Sequence, residues 1–160
     1  MKKVLLVISI ALLFSKVNAQ EQHSITASKL VEIAEKADFS ILVQLVSSLN
    51  YMMLDSSRDE KGVLFYFAKE PKSNGNVLAC SADLQNKITE FTFNTFISES
   101  NNDLKSQLRT LGFKSSGIKK SNTEGLIETE DFEKGSLLVA TATVENKHGK
   151  NFFEFTFIKL

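Results

Sequence analysis

Leu137-Leu-Val-Ala-Thr-Ala-Thr-Val-Glu-Asn-Lys147, followed by Phe152-Phe-Glu-Phe-Thr-Phe-Ile158, alternates apolar with small or polar residues, turns at Asn-Lys, and returns on a second alternating run. That is the pattern of a half-buried antiparallel hairpin. An earlier stretch repeats it: Val77-Leu-Ala-Cys-Ser-Ala-Asp-Leu-Gln-Asn-Lys87 runs into Glu90-Phe-Thr-Phe93, and Glu-Phe-Thr-Phe recurs unchanged at residues 154–157. The echo extends outward. Leu49-Asn50-Tyr51 is matched by Leu111-Gly112-Phe113, Phe67 and Lys69 by Phe132 and Lys134, Leu78 by Leu138, and Cys80 by Ala140. Offsets of 60 to 65 residues change only where loops differ in length. The chain therefore reads as a doubled unit, residues 20–97 and then 98–160, within one compact domain.

Residues 28–37 carry Leu30, Val31, Ile33, Ala34 and Ala37 at helical spacing. Asp38 offers an N-cap oxygen to a second helical segment that ends at Asn50. In the second half, residues 103–111 place Leu104, Leu108 and Leu111 on one face and stop at Gly112, with residues 98–102 as a polar linker. Strands are expected at residues 51–54 and 63–69 and in the hairpins, separated by polar turns at 56–62 and 70–75. The expected fold is α+β: two tandem units of helix plus about four antiparallel strands, joined as one twisted sheet with helices on one face. The helix-facing phase is then Leu78, Cys80, Ala82, Leu84, Phe91 and Phe93, and in the second unit Leu138, Ala140, Ala142, Val144, Phe153, Phe155 and Phe157. The opposite phase forms an open face.

Lys2 and Lys3, an apolar run from Val4 to Phe14, and Val17-Asn18-Ala19 have the form of a secretory signal peptide over residues 1–19. A bacterial protein, periplasmic or secreted, is expected, with no transmembrane segment after cleavage. Loss of Lys2, Lys3 and Lys16 shifts the formal charge from zero to −3. A mildly acidic chain with scattered lysines offers nucleic acid no electrostatic footing. Cys80 is the only cysteine, so the exported fold rests on its hydrophobic core without an internal disulfide, and its place in an alternating strand marks it as a core residue.

Catalytic machinery is not legible in the residues. His23 and His148 are far from each other and from Cys80, which leaves no metal-ligand spacing and no Cys-His or Ser-His pair. The densest acidic cluster is Glu124, Glu128, Glu130, Asp131 and Glu133; it reads as a charged, solvated edge strand that resists sheet-to-sheet association. No catalytic residue, metal or cofactor is assigned, and the chain is not expected to be an enzyme. Eight alternating strands with a Phe-rich C-terminus also fit a small outer-membrane barrel, but a barrel gives the amphipathic helices no place to pack.

In its doubled helix-plus-four-strands arrangement, over most of residues 28–160, the chain resembles the β-lactamase inhibitor protein family. There, tandem units form one curved sheet that grips a target enzyme. The resemblance lies in arrangement, and the lone Cys80 departs from that family's disulfide-bonded units. A stable two-unit scaffold without a catalytic set points to a non-catalytic binding or inhibitor module whose partner is a protein in the envelope or medium. The expected contact residues on the open face are Tyr66, Val139, Thr141, Glu154 and Thr156. The alternative, prompted by thirteen phenylalanines, is a carrier of an apolar small molecule or lipid held between helices and sheet.

Overall fold

The computed structural model describes residues 25–60, 62–69, 76–146 and 148–160; the expected leader and His23 lie outside them. Helix α1 (Ala27–Lys36) is capped by Thr26, whose side chain accepts from the Lys29 amide, and ends at Ala37 in the left-handed conformation. Helix α2 (Phe39–Ser48) starts at Asp38, whose carboxylate accepts from the Ser40 hydroxyl at 2.7 Å and the Ser40 amide at 2.8 Å. Those bonds hold the Asp38 carboxyl below its ordinary value. The break between the two helices is bonded into the first hairpin, with the Ile88 amide on the Ala37 carbonyl and the Phe39 amide on the Asn86 carbonyl. Asn50 and Gly112 both take positive φ at the ends of their helices, as their positions in the echo require. Helix α3 (Ser98–Thr110) begins five residues earlier than its apolar spacing indicates, so the expected polar linker is its first turn.

Among the described residues, nine strands rather than eight form one antiparallel sheet. They are β1 (Tyr51–Arg58), β2 (Val63–Lys69), β3 (Val77–Ala82), β4 (Ile88–Thr95), the two-residue β5 (Lys114–Ser115) and β6 (Lys119–Lys120), β7 (Leu126–Lys134), β8 (Leu137–Glu145) and β9 (Asn151–Lys159). The spatial order is β1-β2-β3-β4-β9-β8-β7-β5, with β6 also on β7. Each half lays its strands down from the outside in, and the two halves meet where β4 pairs with β9. Strand β1 runs four residues further than expected, through a bulge between Met53 and Asp55.

One phase of the sheet is buried in a single cluster with Leu30, Ile33, Leu42, Val46, Leu104 and Leu108 of the helices. It contains Phe67, Leu78, Cys80, Phe91, Phe93, Phe132, Phe153, Phe155 and Phe157. Phe91 stacks on Phe157 at 4.5 Å between ring centroids, and Phe39 of α2 stacks on Phe65 at 4.2 Å. Burying each such side chain contributes roughly 1.5–3 kcal/mol.

Strand β8 corrects the expected phase. Its buried residues are Leu137, Val139, Thr141 and Thr143, whereas Leu138, Ala140, Ala142 and Val144 lie on the other side. Pairing with β9 dictates this, because Val139 faces Phe157 and Thr141 faces Phe155. The two asparagines stand at different places in their turns, Asn86 near the end of the turn that Asp83 and Lys87 close and Asn146 at the start of the one it closes with Lys150, so matching the two Asn-Lys pairs carries the count one residue out of step. In the true register Cys80 and Thr141 occupy equivalent places, each opposite the first Phe of its Phe-Thr-Phe. Leu84 is likewise corrected: it is exposed in the turn after β3.

Candidate functional site

The less buried phase of the sheet is organised in rows across the strands. Tyr66, Ala79, Thr92, Thr156, Ala140 and Asp131 follow one another from β2 to β7, each opposite the next. The row has a low floor of alanine and threonine between Tyr66 and Asp131. On one side lie Val77, Asn94, Glu154 and Ala142, and on the other Ser81, Glu90, Ile158 and Leu138. Phe96, which the strand reading passed over although it continues the phase of Thr92 and Asn94, is exposed and meets the Phe152 ring at 5.9 Å.

Of the five residues expected on this surface, Tyr66, Glu154 and Thr156 are there, with Tyr66 37% exposed. Val139 and Thr141 are not. Both are buried in the opposite phase, where the Thr141 hydroxyl donates to the Glu130 carbonyl at 2.7 Å. Glu154 and Thr156 are polar groups held close: the Thr156 hydroxyl lies 3.5 Å from Glu154 Oε1 and 3.2 Å from the Thr92 hydroxyl. The buried Oδ1 of neighbouring Asn94 has no hydrogen-bond donor among the described residues.

The expected solvated edge strand of acids is corrected at Glu130, which is buried, and β7 is flanked by β5 and β6 rather than lying at the edge. Glu130 is 2% exposed and takes the place in the second half that Phe65 takes in the first, opposite Thr141 as Phe65 is opposite Cys80. Ser115 donates to its Oε1 at 2.5 Å, Arg109 of α3 reaches the same oxygen at 2.7 Å, and the buried Lys105 ammonium lies 3.2 Å from Oε2. Burial alone would raise this carboxyl, but the Ser115 hydroxyl and the Lys105 and Arg109 charges outweigh it and hold it below its ordinary value. Glu128 is held down by Lys120 at 2.7 Å, with Thr143 beside it, and Asp131 faces Lys119 at 3.9 Å. Arg109 also lies over the Phe132 ring. Glu124 is exposed in the turn before β7. Glu133 is exposed at the end of β7, while Glu128, Glu130 and Asp131 are paired with lysine, arginine and hydroxyl partners that fasten α3 and β6 to β7.

Cys80 is buried, and its thiol is pushed up to about 12 by desolvation, so it is inert as a nucleophile at neutral pH. His148 is exposed in the last hairpin turn. Among the described residues no three His, Cys, Asp or Glu side chains gather, and no helix is long and apolar enough to cross a membrane. An open cleft of about 310 Å³ lies at the end of the first half, lined by Ser57, Arg58, Leu64, Ser81 and Thr89 among others. A smaller cavity of about 80 Å³ lies beneath α3, between Phe93, Asn76 and Leu104. No protein-family model, curated protein or solved structure matches the chain.

Proposed function

We propose that the chain is an exported, non-catalytic binding or inhibitor module that recognises another envelope or secreted protein through the Tyr66-to-Asp131 surface. On this reading the two halves are tandem units, the helices occupy one face, and the row of small residues is the floor of the other, open face. Pairs 62 residues apart support the tandem plan: Leu42 and Leu104, Val46 and Leu108, and Tyr51 and Phe113 are all buried. The resemblance of the sequence plan to the β-lactamase inhibitor protein family implies a scaffold that grips with its sheet.

The observation that carries the proposal is the composition of that surface. Tyr66, Phe96, Phe152 and Ile158 give apolar anchors, Glu154 and Thr156 give directional polar groups, and Ala79 and Ala140 keep the centre low enough for a partner to approach. The carrier reading has less support. The layer between helices and sheet is filled by phenylalanine stacks, and its 80 Å³ cavity is far below the ~300 Å³ at which ligand pockets begin.

The test is capture of the partner by the purified protein from the envelope of its own host, read by native mass spectrometry. Joint replacement of Tyr66, Glu154 and Thr156 by alanine is expected to weaken capture at least tenfold in a protein that remains folded. Undiminished capture would remove the site, and a bound mass of a few hundred daltons in place of a protein would favour the carrier.

A further inference from the structure

Charge in the less buried phase of the sheet is one-sided. Across the central strands β2, β3, β4, β9 and β8, the charged residues in that phase are Glu90 and Glu154, and no lysine or arginine accompanies them. Each is the first residue of a Glu-Phe-Thr-Phe repeat, so the antiparallel pairing of β4 with β9 sets them symmetrically about the Thr92 and Thr156 contact. Four residues of register and one strand separate them, about 14 Å between Cα atoms, too far to share one ion. Asp55 of β1 adds a third carboxylate opposite Tyr66. Asp55 and Glu90 are exposed, Glu154 is half-buried, and among the described residues none of the three forms an ion pair. On β7 the same phase is balanced, with Lys119 at 3.9 Å from Asp131 and Lys114 opposite Glu133. Other cations are engaged away from the face: Lys105 and Arg109 hold Glu130, and Lys159 donates to the Glu35 carbonyl. Arg58 lines the cleft at the end of the sheet, three strands from Glu90.

We propose that the protein partner of this surface is basic where it docks, and sets two lysine or arginine side chains about 14 Å apart, one on Glu90 and one on Glu154. A basic partner presupposes that the Tyr66-to-Asp131 surface is the docking face, and adds what that face selects. Covering the face takes both carboxylates out of water, and this chain offers no cation there to answer them. An uncharged or acidic cover would therefore leave unpaired charge in the interface, whereas a basic cover converts the same two groups into ion pairs. Glu154 is the more demanding of the two because it is already half-buried. The Thr156 hydroxyl lies 3.5 Å from its Oε1, and its Oε2 has no donor among the described residues, which leaves that oxygen for an incoming ammonium or guanidinium. An extended segment with cations four residues apart spans about 13 Å and fits the pair.

The probe is a capped heptapeptide with lysine at its second and sixth positions and threonine and tyrosine elsewhere, compared with the same peptide carrying glutamate at those two positions. In an NMR titration the lysine peptide is expected to shift the amides of Thr92, Thr156 and their neighbours, and the glutamate peptide to leave them in place. The double substitution Glu90→Gln and Glu154→Gln, in a protein that remains folded, is expected to weaken lysine-peptide binding at least tenfold. Equal binding of the two peptides, shifts confined to the helices, no shift at millimolar peptide, or undiminished binding by the double variant overturns the proposal. The envelope protein captured by the native chain separates this failure from failure of the docking face itself. Capture weakened by Tyr66→Ala but not by the double variant overturns the basic partner and leaves the face standing; capture that neither weakens overturns both.

Discussion

Thr92 and Thr156 meet hydroxyl to hydroxyl, with their Oγ1 atoms 3.2 Å apart, in the middle of the pairing between β4 and β9. On either side Phe91 faces Phe157 and Phe93 faces Phe155, so the two Phe-Thr-Phe triplets pair with each other about the threonine contact. The repeated sequence element is thus the element that joins the two halves of the sheet. Threonine pairs of this kind contribute about 0.2–1 kcal/mol. Thr92→Val and Thr156→Val, alone and together, are expected to give a coupling energy of about 0.5 kcal/mol in urea unfolding. Simple additivity would mean that each hydroxyl is served by water instead.

Removing Glu130 strands two cations, one of them buried, so Glu130→Gln is expected to cost about 3–5 kcal/mol. The first half shows what an apolar version looks like, with Val43 and Phe65 at the places of Lys105 and Glu130. Lys105→Val with Glu130→Phe is therefore expected to be markedly more stable than Glu130→Gln in the same urea titration. A double variant no better than the single would mean that the two corners are not interchangeable.

Both Glu128 and Glu130 are held below their ordinary value of 4.5 when folded. Their contribution to stability is complete above that value and is lost as pH falls through the lowered folded values, where the native carboxylates finally take up protons. Unfolding free energy measured from pH 6 downward should fall in the acid range, and the Lys105→Val, Glu130→Phe variant should fall less steeply. An identical slope would place the acid sensitivity elsewhere.

At the alkaline end Cys80 and Tyr51 act together. Desolvation raises the thiol from 9.0 and the phenol from 10.0 to about 12 each, the phenol despite its bond with Asn76. The unfolded chain therefore ionises first, and stability that is intact below pH 9 declines as pH rises toward 12. Each group adds at most ~1.4 kcal/mol per pH unit. Cys80→Ala should flatten the decline between pH 9 and 10, where tyrosine contributes least. A thiol reagent at pH 8 should leave native Cys80 unmodified and label it on unfolding.

Gly62 lies so close to β3 that a Cβ there would stand 2.2 Å from the Ala82 carbonyl oxygen. Gly62→Ala must push β2 away from β3 at the start of their pairing, with an expected loss of about 2 kcal/mol. An unchanged melting temperature would show that this corner shifts freely.

Most of the architecture is legible because the echo carries it. Helix ends at Asn50 and Gly112, the Asp38 cap, the two hairpins and the Phe-rich core all follow from periodicity and capping. The phase of β8 does not, since Val-Ala-Thr-Ala alternates equally well either way and only the pairing of Thr141 with Phe155 decides it. That single step moves Val139 and Thr141 from the expected surface into the core. Burial of Glu130 is hidden for a different reason. Its partners Lys105, Arg109 and Ser115 lie 15 to 25 residues away, and nothing local distinguishes it from Glu128 or Glu133.

Strand β9 is the last of the described strands in chain order and lies in the middle of the sheet, between β4 and β8. A chain emerging from its N-terminus can complete β1 to β4 and can pair β7 with β8, but the two halves have nothing to join them until Asn151–Lys159 arrives. Ribosomes add roughly 5–20 residues per second. For the seconds needed to add the residues after β4, the Phe91 and Phe93 edge stays uncovered and the whole sheet cannot close. Delayed closure of this sort makes this interval the time at which a chaperone would have the most to protect.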